Sequence, residues 1–93
     1  MKDVGSITVV GLGPGRFGLI TLESMEAVTS GRSLLLRTAV HPSVAELKRR
    51  GVPFMSYDSW YEKAQSFEAL YHAIAEDLTA RARAGEEIVY AVP

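Results

Sequence analysis

Residues 7–15, with the sequence Ile-Thr-Val-Val-Gly-Leu-Gly-Pro-Gly, constrain the fold more than any other part of the chain. The apolar half predicts a short strand. The second half predicts a tight loop, because glycine tolerates unusual backbone conformations and lets a ligand approach the main chain. We expect a helix to begin at Leu19 and to direct its free N–H groups back toward this loop. Together these features predict a cradle for a nucleotide or another cofactor.

Length and composition narrow the possible classes of protein. The chain has 93 residues, of which 47% are hydrophobic, and a net charge of −1, so we expect one small domain without a nucleic-acid-binding surface. The absence of cysteine excludes disulfides and thiolate catalysis. The start of the chain is too short and polar for a signal peptide, and no apolar run approaches the roughly 20 residues that span a bilayer. We therefore expect a soluble, cytoplasmic protein with no metal site.

Strands and helices alternate along the chain. We predict strands at 6–11, 33–37, 53–57 and 88–92, helices at 19–30, 43–50 and 66–84, and a loop with one helical turn at 58–65. The order βαβαβαβ predicts an α/β fold with three layers, α/β/α, around a mostly parallel sheet. The first strand is apolar without alternation, which predicts cover on both faces.

Side-chain patterns predict the caps and buried faces of the helices. The spacing of Ser43 and Glu46 predicts a capping box with Ser43 as the N-cap. Ser66 is expected to cap the longest helix, and Gly85 to end it. Two inward faces follow from helical periodicity. They comprise Leu22, Met25 and Val28 in the first helix, and Phe67, Leu70, Tyr71, Ile74 and Leu78 in the last.

The glycine-rich loop leaves two interpretations open. Residues 13–18 fit the pattern G-x-G-x-x-G of dinucleotide-binding proteins, which also need an acidic residue at the end of the second strand. That position holds Arg37, which suits the 2′-phosphate of an NADP-type cofactor. Pro14 removes one amide N–H from the loop, so a diphosphate fits it less well than a ligand packed against backbone and a proline ring.

The residues from Val9 to Gly15, followed by Leu19–Leu22, resemble the opening of the tetrapyrrole (corrin/porphyrin) methylases. Segments 36–38, 41–42, 57–58 and 89–93 resemble one branch, in which a methylase-like domain precedes a MazG-type nucleoside triphosphate pyrophosphohydrolase, as in the YabN-like proteins. The resemblance implies an S-adenosylmethionine-binding domain that is a methyltransferase or derives from one. It also implies that residues 1–93 are a single partial domain, the N-terminal portion of the methylase fold, cut after the fourth strand.

The resemblance also implies site residues. In the family the glycine loop borders the S-adenosylmethionine site, and a second cofactor segment follows the fourth strand. The cofactor candidates are therefore Gly11, Gly13, Pro14, Gly15 and Pro93. Arg16 stands where the family usually has an acid.

Arg37 and His41 are the substrate candidates, because both follow the second strand at the edge where open α/β sheets bind ligands. No catalytic residue emerges, and the methyl acceptor is unknown, with a tetrapyrrole possible. A non-catalytic sensing or docking module attached to a MazG-type enzyme is the main alternative function. We also expect an unpaired strand edge that favours a homodimer, and an isolated chain without methyltransferase activity.

Overall fold

The computed structural model describes residues 4–15 and 17–93. Its elements are listed here in chain order: β1 (Ser6–Gly11), a 3-10 turn (Phe17–Leu19), α1 (Leu22–Val28), β2 (Ser33–Leu36), α2 (Pro42–Arg49), β3 (Met55–Ser56), α3 (Asp58–Lys63), α4 (Phe67–Arg83) and β4 (Glu87–Val92). The predicted alternation of strands and helices is confirmed. Two elements are additional: the 3-10 turn at Phe17–Leu19, and α3, where we expected a loop with a single helical turn. Arg16 lies outside the described residues.

The four strands form one parallel sheet in the order β1-β4-β2-β3. One hydrophobic core lies between the sheet and the helices α1 and α2, around Leu36, Leu47 and Val89. The second core lies on the opposite face, where Leu70 and Ile74 of α4 pack against the sheet. The three-layer α/β/α architecture predicted from the sequence is therefore confirmed. The carboxyl ends of β1, β4 and β2 meet at one edge of the sheet.

The strand β1 lies at the edge of the sheet, and not in a doubly covered position. Val9 is 63% exposed and Ile7 is 39% exposed, so the prediction of cover on both faces is wrong for the described residues. An apolar strand without alternation resembles a central strand in sequence, whatever its final position. The free edge of β1 agrees with our expectation of an unpaired strand.

Three predictions about the helices are wrong. The helix α1 begins at Leu22 and not at Leu19, because Thr21 caps it and accepts a hydrogen bond from the Ser24 N–H. Leu22 is 75% exposed, whereas Ala27 and Val28 fill the core. Within α4, Leu70, Ile74 and Leu78 are buried as predicted, but Phe67 and Tyr71 are exposed. The cap at Ser66 is confirmed, since its side chain accepts a hydrogen bond from the Ala69 N–H.

The capping box predicted for α2 is also wrong. Pro42 occupies the first turn, and the N-cap is His41, whose side chain accepts a hydrogen bond from the Ser43 N–H. Proline is favoured at the first helical position because it has no N–H to leave unpaired. Glu46 instead forms ion pairs with Arg49 and Arg50.

A polar network joins the end of β3 to α4. The Tyr57 hydroxyl donates a hydrogen bond to Asp77 Oδ2 over 2.6 Å, and Arg81 Nε donates to the same oxygen over 2.9 Å. Burial raises the pKa of Tyr57, and the contact with Asp77 raises it further. The network therefore holds a buried phenol in its neutral form. Among the helices of the described residues, none is long and apolar enough to cross a bilayer.

Candidate functional site

The glycine-rich loop lies at the carboxyl edge of the sheet, between β1 and the 3-10 turn. Gly11 pairs with Val92 of β4, and the Leu12 N–H donates a hydrogen bond to the Val92 carbonyl oxygen over 2.7 Å. Pro93, the residue after β4, is therefore adjacent to the loop along this edge. Leu12 is fully buried and anchors the loop in the core. The edge is the position at which open α/β sheets bind ligands.

The glycines of this loop differ in the reason for which glycine occupies the position. Gly13 has φ +84°, and a Cβ there would lie 3.0 Å from the Leu19 carbonyl oxygen, so the fold itself requires glycine. A Cβ at Gly11 or at Gly15 would meet nothing within 4 Å. Contacts within the described chain do not explain glycine at these two positions. Open space beside the backbone is the geometry that a closely approaching ligand needs.

His41 connects this loop to the N-terminus of α2. Its Nε2 lies 3.1 Å from the Gly13 carbonyl oxygen, and its Nδ1 accepts the Ser43 N–H over 3.1 Å. Because Nδ1 acts as the acceptor, the proton of the neutral ring is on Nε2, which donates to Gly13. Both ring nitrogens are therefore engaged with backbone groups. In this geometry His41 positions the loop.

Ser43 makes a second connection between α2 and the loop. Its hydroxyl lies 3.2 Å from the Leu12 carbonyl oxygen and 3.3 Å from that of Gly15, and the residue is fully buried. Together with His41, it engages the carbonyl oxygens of Leu12, Gly13 and Gly15. A loop held by side chains of a packed helix is preorganised, so less ordering is needed when a ligand binds.

The segment after β2 is fixed by the first residue of α3. Asp58 accepts hydrogen bonds from the Thr38 hydroxyl over 2.6 Å and from the Ala39 N–H over 2.8 Å. Burial acts to raise the pKa of Asp58, but hydrogen bonds from Thr38, Ala39 and Ser56 outweigh it and hold the pKa below its usual value. The charged carboxylate thus fixes the start of the loop that carries His41.

Arg37 lies on the other side of the sheet from His41. Its guanidinium carbon is 5.9 Å from the centre of the Tyr71 ring in α4. Tyr61 and Tyr90 are close enough for the positive charge of Arg37 to act on their hydroxyls. The side chain is therefore directed toward α4 and away from the glycine loop. This orientation weakens the case for a 2′-phosphate held jointly by Arg37 and the loop.

The sequence of the chain matches a known family over almost its whole length. The pattern of the family described as Tetrapyrrole (Corrin/Porphyrin) Methylases matches residues 6–93. The chain belongs to the tetrapyrrole methylase family. The three-layer fold with a parallel sheet agrees with this assignment, and the resemblance seen in the glycine loop is confirmed at the level of the family.

Individual relatives of this tetrapyrrole methylase domain carry two kinds of name. "Uncharacterized protein YabN" of Bacillus subtilis is 42% identical over 89 residues, which cover 96% of this chain and 18% of the relative. "Siroheme synthase" of Tolumonas auensis is 35% identical over 85 residues, which cover 91% of this chain and 18% of the relative. "Siroheme synthase 2" of Aeromonas salmonicida is 29% identical over 93 residues, with 95% and 18% covered. The chain thus spans less than a fifth of the length of each.

The structure brings some of the candidate residues together and separates others. Gly13 and His41 are in contact, and Gly11 lies beside the strand that leads to Pro93. Arg37 follows β2 on the opposite side of the sheet. Ser43 was missed as a site residue, because its spacing from Glu46 indicated a cap. The serine after proline at the start of α2 is the signal for its actual position, since Pro42 shifts the cap to His41.

Proposed function

We propose that this tetrapyrrole methylase domain binds S-adenosylmethionine at the glycine-rich loop, with Gly11, Gly13, Pro14, Gly15 and Pro93 at the cofactor. The single observation that carries this proposal is the open space at Gly11 and Gly15, where a Cβ would meet nothing of the described chain. Pro14 is exposed between them, so its ring is available to an apolar part of the cofactor. When bound, the cofactor supplies a methyl group activated by a sulfonium.

The role of the protein in this chemistry is to position the reactants. Transfer of a methyl group from a sulfonium needs an aligned acceptor more than a side-chain nucleophile. The contacts of His41 and Ser43 support this view, because before any ligand arrives they hold the loop at the Gly13 carbonyl oxygen and, through the one hydroxyl proton of Ser43, at that of Leu12 or Gly15. Methyl transfer is the activity we infer, and the names of the siroheme synthase relatives support it.

A second part of the proposal concerns the complete protein. We infer that residues 1–93 are the N-terminal portion of a longer, cytoplasmic methylase-like domain that acts as a homodimer. The higher identity to YabN than to the siroheme synthases favours the branch that carries a MazG domain. Sequencing the gene beyond Pro93 tests this part, since a later acidic MazG segment supports the branch and its absence contradicts it.

Calorimetric titration of S-adenosylmethionine into the full-length protein tests the binding proposal. We expect a Kd in the micromolar range for the native protein and a loss of tenfold or more for Gly15→Leu, which fills the open space. Gly18→Leu is the matched control, because Gly18 is exposed and open but lies in the 3-10 turn. No heat at about 1 mM cofactor, or equal losses in both variants, would contradict the proposal.

A second measurement distinguishes a non-catalytic sensing module from a methyltransferase. Cofactor binding without methyl transfer to any tetrapyrrole, accompanied by a change in pyrophosphohydrolase activity, would favour the sensing module. Transfer of a labelled methyl group would favour the enzyme.

A further inference from the structure

The pairing of β2 with β3 brings the first residue of α3 beside the segment that follows β2. Leu36 pairs with Ser56, and the Tyr57 N–H donates a hydrogen bond to the Leu36 carbonyl oxygen over 3.0 Å. Continuing this parallel register by two residues sets Asp58 beside Thr38. The Thr38 hydroxyl donates to Asp58 Oδ1 over 2.6 Å, which agrees with this position. The strand pairing thus brings a carboxylate to the loop before α2.

A continuous chain of hydrogen bonds runs from this carboxylate to the glycine-rich loop. Asp58 Oδ2 accepts the Ala39 N–H over 2.8 Å, and the Ala39 carbonyl oxygen accepts the His41 N–H over 3.0 Å. The His41 Nε2 then lies 3.1 Å from the Gly13 carbonyl oxygen. Three successive contacts therefore connect the start of α3 with a loop near the beginning of the chain.

Both carboxylate oxygens of Asp58 bind the segment after β2. The Thr38 hydroxyl donates to one oxygen and itself accepts the Val40 N–H over 3.1 Å, while the Ala39 N–H donates to the other oxygen. One side chain therefore fixes three successive residues. An ionised carboxylate suits this role, because it only accepts hydrogen bonds and offers two oxygens to two donors.

Packing of side chains contributes less to the position of this segment. Ala39 packs against the core beside α2, but Val40 is 84% exposed and gains little from burial. The direction in which the chain approaches His41 thus depends on the hydrogen bonds that begin at Asp58. Loss of the carboxylate would leave the Ala39 N–H without its acceptor and would break the first link of the chain of hydrogen bonds.

We propose that Asp58 is a positioning residue of the cofactor site and acts on the glycine-rich loop through Ala39 and His41. Its two oxygens are occupied by Thr38 and Ala39, so it acts through other residues and not on the cofactor itself. It holds the His41 ring where one nitrogen caps α2 and the other meets Gly13. The effect on the cofactor rests on the proposed function. The effect on the His41 ring does not, because it is measured without cofactor.

The ring-nitrogen chemical shifts of His41, measured by NMR in the full-length protein, test this positioning role. Asp58→Ala removes both acceptors, so we expect the shifts to move toward those of the urea-unfolded protein. Asp77→Ala is the matched control, because Asp77 also accepts two hydrogen bonds, from Tyr57 and Arg81, but lies in α4. Native shifts in folded Asp58→Ala, or equal changes in both variants, would overturn the proposal. If circular dichroism shows that Asp58→Ala is unfolded, Thr38→Val removes one donor and should move the shifts in the same direction; unchanged shifts there would also overturn it.

A double-mutant cycle tests whether Asp58 acts on the cofactor through His41. Asp58→Ala should weaken S-adenosylmethionine binding about fivefold in the native background, but less than about twofold in the His41→Asn background, where the contact with Gly13 is already lost. The same loss in both backgrounds would contradict action through His41. If the native protein does not bind S-adenosylmethionine, the proposed function fails, and the ring shifts still decide whether Asp58 positions His41.

Discussion

His41 Nε2 lies 3.1 Å from the Gly13 carbonyl oxygen, across 28 residues of sequence. The same ring accepts the Ser43 N–H at the start of α2. One side chain thus caps a helix and holds the glycine-rich loop. Histidine is an uncommon N-cap, since serine, threonine, aspartate and asparagine are preferred there. Its second ring nitrogen explains the choice, because none of the shorter caps could also reach the loop.

Replacing His41 should separate these two roles. We expect His41→Ala to lower the free energy of unfolding by about 1–2 kcal/mol, because the cap is lost, and to weaken S-adenosylmethionine binding. Asparagine is a good N-cap but is too short to reach Gly13, so His41→Asn should recover most of the stability without recovering the affinity. Urea denaturation and calorimetry measure the two quantities.

His72→Ala provides the matched control for that experiment. His72 is exposed, and its partner Glu76 lies one turn along α4, so its loss should change stability by less than about 0.5 kcal/mol. Equal cofactor affinity in His41→Asn and the native protein would show that the contact with Gly13 does not matter for binding.

Gly13 should be more sensitive to substitution than a glycine with a similar backbone conformation in open space. Gly13→Ala places a methyl group 3.0 Å from the Leu19 carbonyl oxygen and forces alanine into a backbone with φ +84°. Gly31→Ala has the same backbone problem, with φ +86°, but meets open space. We expect both variants to lose about 1 kcal/mol from backbone strain, and Gly13→Ala to lose about 1 kcal/mol more from the close contact. Equal urea-denaturation midpoints for Gly13→Ala and Gly31→Ala would contradict the close contact at Gly13.

Alkaline pH should destabilise the fold through Tyr57. Burial and the hydrogen bond to Asp77 raise the pKa of Tyr57 in the folded state above the ordinary value near 10. This contribution to stability is complete below about pH 10 and is lost as the pH rises toward the folded-state pKa, because the unfolded chain releases the proton first. Denaturation curves between about pH 9 and 12 measure the slope.

Tyr57→Phe keeps the ring and removes the ionisable hydroxyl, so it should flatten that slope. Tyr61 and Tyr90, whose pKa values are also raised by burial, account for the slope that remains. An unchanged slope in Tyr57→Phe would contradict the effect of the Tyr57–Asp77 contact.

The free edge of β1 should promote self-association of the 93-residue chain. Val9 is exposed on this edge strand, and unpaired strand edges recruit further strands unless a charge blocks them. We expect Val9→Lys to shift light scattering at high concentration toward the monomer. Val40→Lys, at an 84% exposed valine in the loop before α2, should leave the scattering unchanged. A native chain that is monomeric at high concentration would contradict the prediction.

Local sequence patterns predicted the positions of the strands and helices well. They predicted poorly which elements lie next to each other in the fold. The strand at 6–11 and the cap at Ser66 depend on residues close in sequence, and both agree with the structure. The edge position of β1 depends on β4, more than 70 residues later, so a contiguous apolar run could not reveal it. The roles of His41 and Ser43 depend in the same way on a loop that is distant in sequence.

The glycine loop was identified from its composition, but the reasons for its glycines were not. Sequence alone makes Gly11, Gly13 and Gly15 equivalent. In the structure, the positive φ of Gly13 and the Leu19 carbonyl group beside it show that the fold needs this glycine, whereas the other two leave space. The contact between Arg37 and Tyr71 was equally hidden, because Arg37 follows β2 and Tyr71 lies in α4.

The strand order β1-β4-β2-β3 places the last strand of the described chain between the first two. On the ribosome, β1 and β2 must therefore wait for residues 87–92 before either can pair with its neighbour β4. Until then, β2, with Leu34, Leu35 and Leu36, lacks its principal partner strand. The hydrophobic surface of an incomplete sheet promotes aggregation. Synthesis that stalls before Glu87 should leave a nascent chain that depends on chaperones, even though β1, β2 and β3 have all been made.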